Sequence, residues 1–277
     1  MACVVMVWQF STFAAEAQSI GQFIIKTTSD SDPTVAFDYW VGQGTSASSQ
    51  VLLLVPGYNG SGARMLTPQW ESFAAKNHLV LLAPTFRTSP EELQIRHGYY
   101  YPDQWSGVTT EKALLELGRR EKVSADKILI FGFSAGAHFA HRFALWKPSR
   151  VKAFVAYSAA WWDSPTEQLA HVPALIMCGE DDPRYEATLQ FMVKGQLLGL
   201  PWVWRSYRGT GHEMIPSVQK MAEVFLGHYA AGEPDVPFYG DVQTYQYVTP
   251  DRMESIPEQV RVRLPSKTIA EQWRQEK

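Results

Sequence analysis

Lys127-Ile-Leu-Ile-Phe-Gly-Phe-Ser-Ala-Gly-Ala-His-Phe-Ala-His-Arg-Phe-Ala-Leu-Trp146 decides how the rest of the chain is read. Its apolar run Ile128 to Phe131 is too short for a helix and rich in β-formers, which predicts a buried strand. From Ala135 onward Ala137, Phe139, Ala140, Phe143, Ala144 and Leu145 recur at the spacing of a helix's buried face. Between the two lies Gly132-Phe133-Ser134-Ala135-Gly136, a G-x-S-x-G pattern. A strand that turns at once into a helix bends sharply, and the small residues two before and two after Ser134 let neighbouring backbones pass. Ser134 is thereby pushed out at the apex, its hydroxyl over the N-terminus of the new helix. The pattern alone is weak; its strand–turn–helix context makes it specific.

Working outward, apolar runs alternate with helical patterns. Phe23–Lys26 and Val35–Val41 read as two antiparallel strands joined by a polar turn around Pro33. Val51–Val55 is unbroken in apolar character, the mark of a strand covered on both faces. Strands are also expected at 78–84, 151–157, 173–178 and 202–207, with helices at 67–76, 109–122, 185–197 and 217–229. The alternation implies an α/β fold, a mostly parallel sheet with helices on both faces. The gap between the strands ending at Tyr157 and starting at Pro173 leaves no room for a large cap, so an open site is expected.

A serine hydroxyl is a poor nucleophile at neutral pH and needs a base, usually a histidine oriented by a carboxylate. The strand ending at Cys178 runs into Gly179-Glu180-Asp181-Asp182-Pro183-Arg184, and the strand ending at Tyr207 runs into Gly209-Thr210-Gly211-His212-Glu213. Both loops leave the carboxyl ends of strands, where open α/β sheets carry their sites. Pro183 biases Asp182 toward extended geometry, in which Asp181 and Asp182 point opposite ways and cannot both face His212. Asp182 is favoured; Asp181 is the rival, ahead of Glu180 and Asp163.

The motifs PGYNGSG (56–62), GFSAG (132–136), GEDDP (179–183) and GTGHEM (209–214) resemble those of the α/β-hydrolase superfamily. Within it they are most similar to serine esterases of the polyhydroxyalkanoate-depolymerase and feruloyl-esterase-like group, over roughly residues 50–230. The resemblance implies Ser134 as nucleophile, Asp182 as acid and His212 as base. It also implies an oxyanion hole from the backbone N–H groups of Tyr58 and Ala135. Two positions depart from the pattern: Pro56-Gly57 stands where such enzymes usually have His-Gly, and Ala137 where the depolymerases often carry glycine. Neither change removes a backbone donor. The expected activity is cleavage of a small or polymeric carboxylic ester through an acyl-enzyme, without metal or cofactor. A peptidase, thioesterase or lactonase would use the same groups, and a binding protein could keep the scaffold without the chemistry.

The 277 residues suit one enzyme-sized unit, and a net charge of −3 leaves no basic footprint for nucleic acid or anionic membrane. Cys3 and Cys178 imply no disulfide framework. Residues 1–17 form an apolar stretch too short to span a bilayer and ending in Ala15-Glu16-Ala17, an A-x-A cleavage pattern without a basic n-region. A signal peptide over 1–17 is expected, with export to the periplasm or medium, a catalytic domain over 18–230, and an extension over 231–277 packed on it. PGYNGSG lacks the Gly-Lys-Ser/Thr ending of a phosphate loop. His138 and His141 share a helix face with no third ligand in reach, so packing is expected of them. His228 reads as a last-turn cation. The long connection from Arg87 to Gly107 supplies Tyr101 and Trp105, and the loop after 158 supplies Trp161 and Trp162, as candidate substrate-binding walls.

Overall fold

Short apolar runs of aliphatic and aromatic residues form the strands β1 (Ser19–Lys26), β2 (Thr34–Val41), β3 (Gln50–Val55), β4 (Leu79–Thr85), β5 (Ser124–Phe133), β6 (Val151–Tyr157), β7 (Ala174–Gly179) and β8 (Trp202–Tyr207). In the computed structural model, which describes residues 18–275, they make one sheet in the order β1-β2-β4-β3-β5-β6-β7-β8. β1 and β2 pair antiparallel, as does β2 with β4; every later pairing is parallel. Val51–Val55 and Ile128–Phe131 have no solvent exposure, as strands with helices on both faces require. At the edge, β1 buries Phe23 and leaves Ile20 and Ile24 exposed. The stretch 1–17 lies outside the described residues, and no described helix is long and apolar enough to cross a membrane.

The helices are α1 (Pro68–Lys76), α2 (Pro90–Gln94), α3 (Gly107–Glu121), α4 (Ala135–Trp146), α5 (Tyr185–Leu197), α6 (Pro216–Ala231) and α7 (Lys267–Arg274). Their ends follow local chemistry. Thr67 caps α1 by accepting from the Trp70 N–H, with Pro68 at the first helical position. Gly232, at φ 69°, ends α6 in the left-handed conformation.

Two sequence expectations need adjusting. The strand foreseen at 128–131 begins at Ser124, because its polar first half still pairs with β3 through a register shift. The connection 87–107 is not a bare loop. Ser89-Pro90-Glu91-Glu92 is a capping box: Ser89 Oγ accepts from the Glu92 N–H while Glu92 accepts from the Ser89 N–H, and α2 follows. A single wide turn, Pro102–Ser106, then leads into α3.

Beyond α6 the chain builds a second sheet from β9 (Phe238–Asp241), β10 (Tyr247–Val248) and β11 (Arg261–Leu264), in the order β10-β9-β11, followed by α7. It lies against β8, the end strand of the main sheet. The Tyr207 carbonyl faces inward and accepts from the Glu180 N–H, so Trp204 and Ser206 present their backbone outward. Trp273 Nε1 donates to the Trp204 carbonyl at 2.6 Å, and the Tyr245 hydroxyl accepts from the Ser206 N–H at 3.1 Å. Side chains of the extension thus block an edge that would otherwise offer free pairing groups.

Candidate active site

Ser134 sits between β5 and α4 at φ 56° and ψ −114°, a strained conformation for a residue with a Cβ. The bend brings α4 so close to β3 that a Cβ on Gly136 would lie 2.0 Å from the Val55 carbonyl oxygen. Only glycine fits there, which is the physical content of the last G in G-x-S-x-G. The Ser134 N–H donates to the Tyr157 carbonyl at 2.9 Å, fixing the apex to the next strand.

His212 arrives from the loop after β8. Its Nε2 lies 2.9 Å from Ser134 Oγ and its Nδ1 2.7 Å from Asp182 Oδ2. An ionised carboxylate only accepts, so Nδ1 carries the hydrogen and Nε2 turns its lone pair to the serine. Phe133 stacks on the imidazole with centroids 5.0 Å apart. The loops bearing acid and base touch directly: the Asp181 N–H donates to the Thr210 carbonyl at 3.0 Å, and a Cβ on Gly179 would come within 2.2 Å of that oxygen.

The Asp182 side chain is wholly buried, and its Oδ1 accepts from the Arg184 N–H at 3.0 Å and from Arg184 Nη1 at 3.1 Å. Burial pushes its carboxyl up, but the hydrogen bonds from His212 and Arg184 outweigh it and hold the group below the ordinary aspartate range. The three rival acids go elsewhere. Asp181 is exposed, Glu180 accepts from Ser206 Oγ at 2.7 Å, and Asp163 pairs with Arg142 and Arg96.

The loop 56–62 runs alongside. Gly57 lies against Ser134 and Phe133. Among the described residues no acceptor takes the Tyr58 or the Ala135 N–H; Tyr58 follows the glycine that lies against Ser134, and Ala135 follows Ser134 itself. Sequence reading missed what holds this loop in place. Asn59, at φ 48°, exchanges side-chain hydrogen bonds with the Thr88 backbone at 2.9 and 3.0 Å. The Tyr99 hydroxyl accepts from the Asn59 N–H, and Arg87 Nη1 donates to the carbonyls of Asn59 and Gly60. The Asn-Gly pair was the available signal, since asparagine tolerates left-handed backbone and copies turn hydrogen bonds.

The aromatic candidates separate. Trp161 is 55% exposed and leans on His138 and Tyr100. Tyr58 is 48% exposed, with its hydroxyl on the Thr88 carbonyl. Trp105 is buried, donates to the His97 carbonyl and packs on Phe86, so it is core and no wall of the site. Tyr101 lies beneath the guanidinium groups of Arg96 and Arg142 and lines a cavity beside them. Trp162 is stacked on Phe191, set against His141, and lines the same cavity. The two helix histidines are packed, as expected, and they also hold the loop carrying Trp161. His138 Nδ1 meets the Trp161 carbonyl and its Nε2 the Ala160 N–H; His141 Nδ1 meets the Ala137 carbonyl and its Nε2 the Asp163 N–H. Each ring must donate at one nitrogen and accept at the other, which only neutral imidazole can do. Burial and the nearby Arg142 hold both well below the usual histidine range. His228 lies between Glu233 and Asp235, far from this site in chain position and partners.

No family model and no curated protein matches the sequence. Solved structures do match in shape. A ferulic acid esterase superposes with a TM-score of 0.62 at 14% identity, covering 78% of this chain and 98% of its own. An S-formylglutathione hydrolase from Agrobacterium tumefaciens gives a TM-score of 0.60 at 17% identity over 78% and 95% of the two chains. EstE1, a thermostable carboxylesterase cloned from a metagenomic library, gives 0.59 at 15% over 79% and 90%. At such identities the likeness shows the fold: the mostly parallel eight-stranded sheet is that of an α/β-hydrolase.

Proposed function

We propose that the chain is a serine hydrolase that cleaves carboxylic esters through an acyl-enzyme. The observation that carries this reading is the unbroken line from Ser134 Oγ through both ring nitrogens of His212 to Asp182. Ser134 attacks the ester carbonyl and gives its proton to His212 Nε2, and the Asp182 carboxylate stabilises the imidazolium that forms. The N–H groups of Tyr58 and Ala135 donate to the carbonyl oxygen as negative charge develops on it; Ala135 does so at the positive end of α4. His212 then protonates the leaving alcohol, and water repeats the sequence on the acyl-serine. The esterases among the structural neighbours support the same chemistry. Tyr58 and Trp161, both exposed, frame the substrate.

The test is hydrolysis of p-nitrophenyl esters of graded chain length by wild type and Ser134→Ala. Loss of the nucleophile lowers kcat by on the order of 10⁶, and a fluorophosphonate labels wild type once, at Ser134. Residual activity within about tenfold of wild type would refute the assignment. The pattern at Ala15-Glu16-Ala17 adds the proposal of export, checked by finding Gln18 as the first residue of protein recovered from the periplasm or medium.

A further inference from the structure

Ser134, His138 and Arg142 follow one another at four-residue spacing, so they stand in a row along one face of α4. At 1.5 Å per residue the row places Arg142 about 12 Å from Ser134. At its far end a cavity of about 440 Å³ opens between α4, α5 and the loop carrying Trp161. Trp161 joins the two places: its ring leans on His138, one turn from Ser134, and it also lines the cavity.

The charges in the cavity do not cancel. Arg142 is buried and spent, with Nε and Nη2 on Asp163 at 3.0 and 3.2 Å and further bonds to the carbonyls of Tyr100 and Trp161. It neutralises Asp163, the one acid among the described lining residues. With Arg96 and Lys194 the lining carries three cations against that one acid. Arg96 is 62% exposed in its side chain, lies over the Tyr101 ring and reaches Asp163 through Nη2 alone, so Nε and Nη1 are unengaged. Lys194, in the last turn of α5, has no acceptor among the described residues. A chain of net charge −3 thus gathers a net excess of two positive charges and an exposed indole in one recess.

We propose that this cavity, which opens beside Arg142 about 12 Å along α4 from Ser134, receives a carboxylate at the far end of the ester substrate. The inference rests on the esterase reading and narrows it to esters whose acyl part is long and carries a terminal negative charge. Arg96 offers the planar fork that suits a carboxylate, Lys194 a mobile point charge, and Trp161 an apolar wall for the chain between.

Binding to Ser134→Ala, measured by calorimetry, tests the idea without relying on turnover. The probes are monomethyl sebacate, whose extended chain spans the gap, its neutral counterpart dimethyl sebacate, and monomethyl succinate, which is too short. Monomethyl sebacate is expected to bind about fivefold tighter than dimethyl sebacate, with the advantage shrinking as salt rises. The ratio should fall to about one in Ser134→Ala carrying Arg96→Gln and Lys194→Gln. Equal binding of the two sebacate esters, or an equal advantage for monomethyl succinate over its dimethyl ester, would overturn the subsite. Either result would leave the esterase reading standing if wild type still turns over p-nitrophenyl esters.

Discussion

Replacing Asp182 by asparagine should be far more damaging than the same change one residue earlier, and the reason lies in Arg184. Both donors of Arg184, its backbone N–H and Nη1, point at Asp182 Oδ1, at 3.0 and 3.1 Å. An asparagine there must turn its carbonyl oxygen to these donors, since the opposite orientation would set an NH₂ group against a guanidinium and an N–H. The amide NH₂ then faces His212 Nδ1, in the place of the oxygen now 2.7 Å away. It donates, so Nδ1 must accept and the ring hydrogen moves to Nε2, opposite Ser134 Oγ. A base in that tautomer cannot take the serine proton. The loss expected is roughly 10⁴ in kcat, or about 5.4 kcal/mol at 1.36 kcal/mol per decade. Asp181 is exposed and meets Thr210 only through its backbone N–H, so Asp181→Asn should stay within about twofold of wild type. The assay is kcat on p-nitrophenyl butyrate, with active sites counted by the burst and folding checked by circular dichroism. Asp182→Asn within tenfold of wild type, or the reverse ranking of the two variants, would refute the geometry.

Two further expectations concern stability. His138 and His141 are neutral when folded but titrate near 6.5 when unfolded, so the unfolded state takes up protons first as pH falls. Their contribution is complete above pH 6.5 and is lost below it, at up to about 1.4 kcal/mol per histidine per pH unit. Urea midpoints between pH 7 and 5 should therefore fall less steeply in His141→Asn than in wild type; parallel curves would refute the neutral assignment. Trp273→Ala removes a fully buried indole and its bond to the Trp204 carbonyl, at a cost of about 3–5 kcal/mol. Calorimetry should show the transition lowered by about 10 °C, and a shift under about 2 °C would mean that the extension does not brace β8.

Much of this molecule can be read locally. Hydrophobic periodicity and length are properties of consecutive residues, which is why the alternating strands and helices, the bend at Ser134 and the sites of His212 and the acid loop are legible without coordinates. The capping box that starts α2 is likewise a pattern of consecutive residues, Ser89 to Glu92, although the reading of 87–107 as a connection passes over it. Where reading stopped is equally physical. Trp105 and Trp161 are the same residue type in neighbouring loops, yet one is core and the other is 55% exposed. Nothing in the adjoining residues distinguishes them, because what covers Trp105 is Phe86, from a different part of the chain. The same holds for the aspartates. Local geometry separates Asp181 from Asp182, but only the fold sets Arg184 and His212 on opposite oxygens of one carboxylate. Periodicity along a chain records which face is buried; what meets that face, and at what distance, is decided when separate segments pack together.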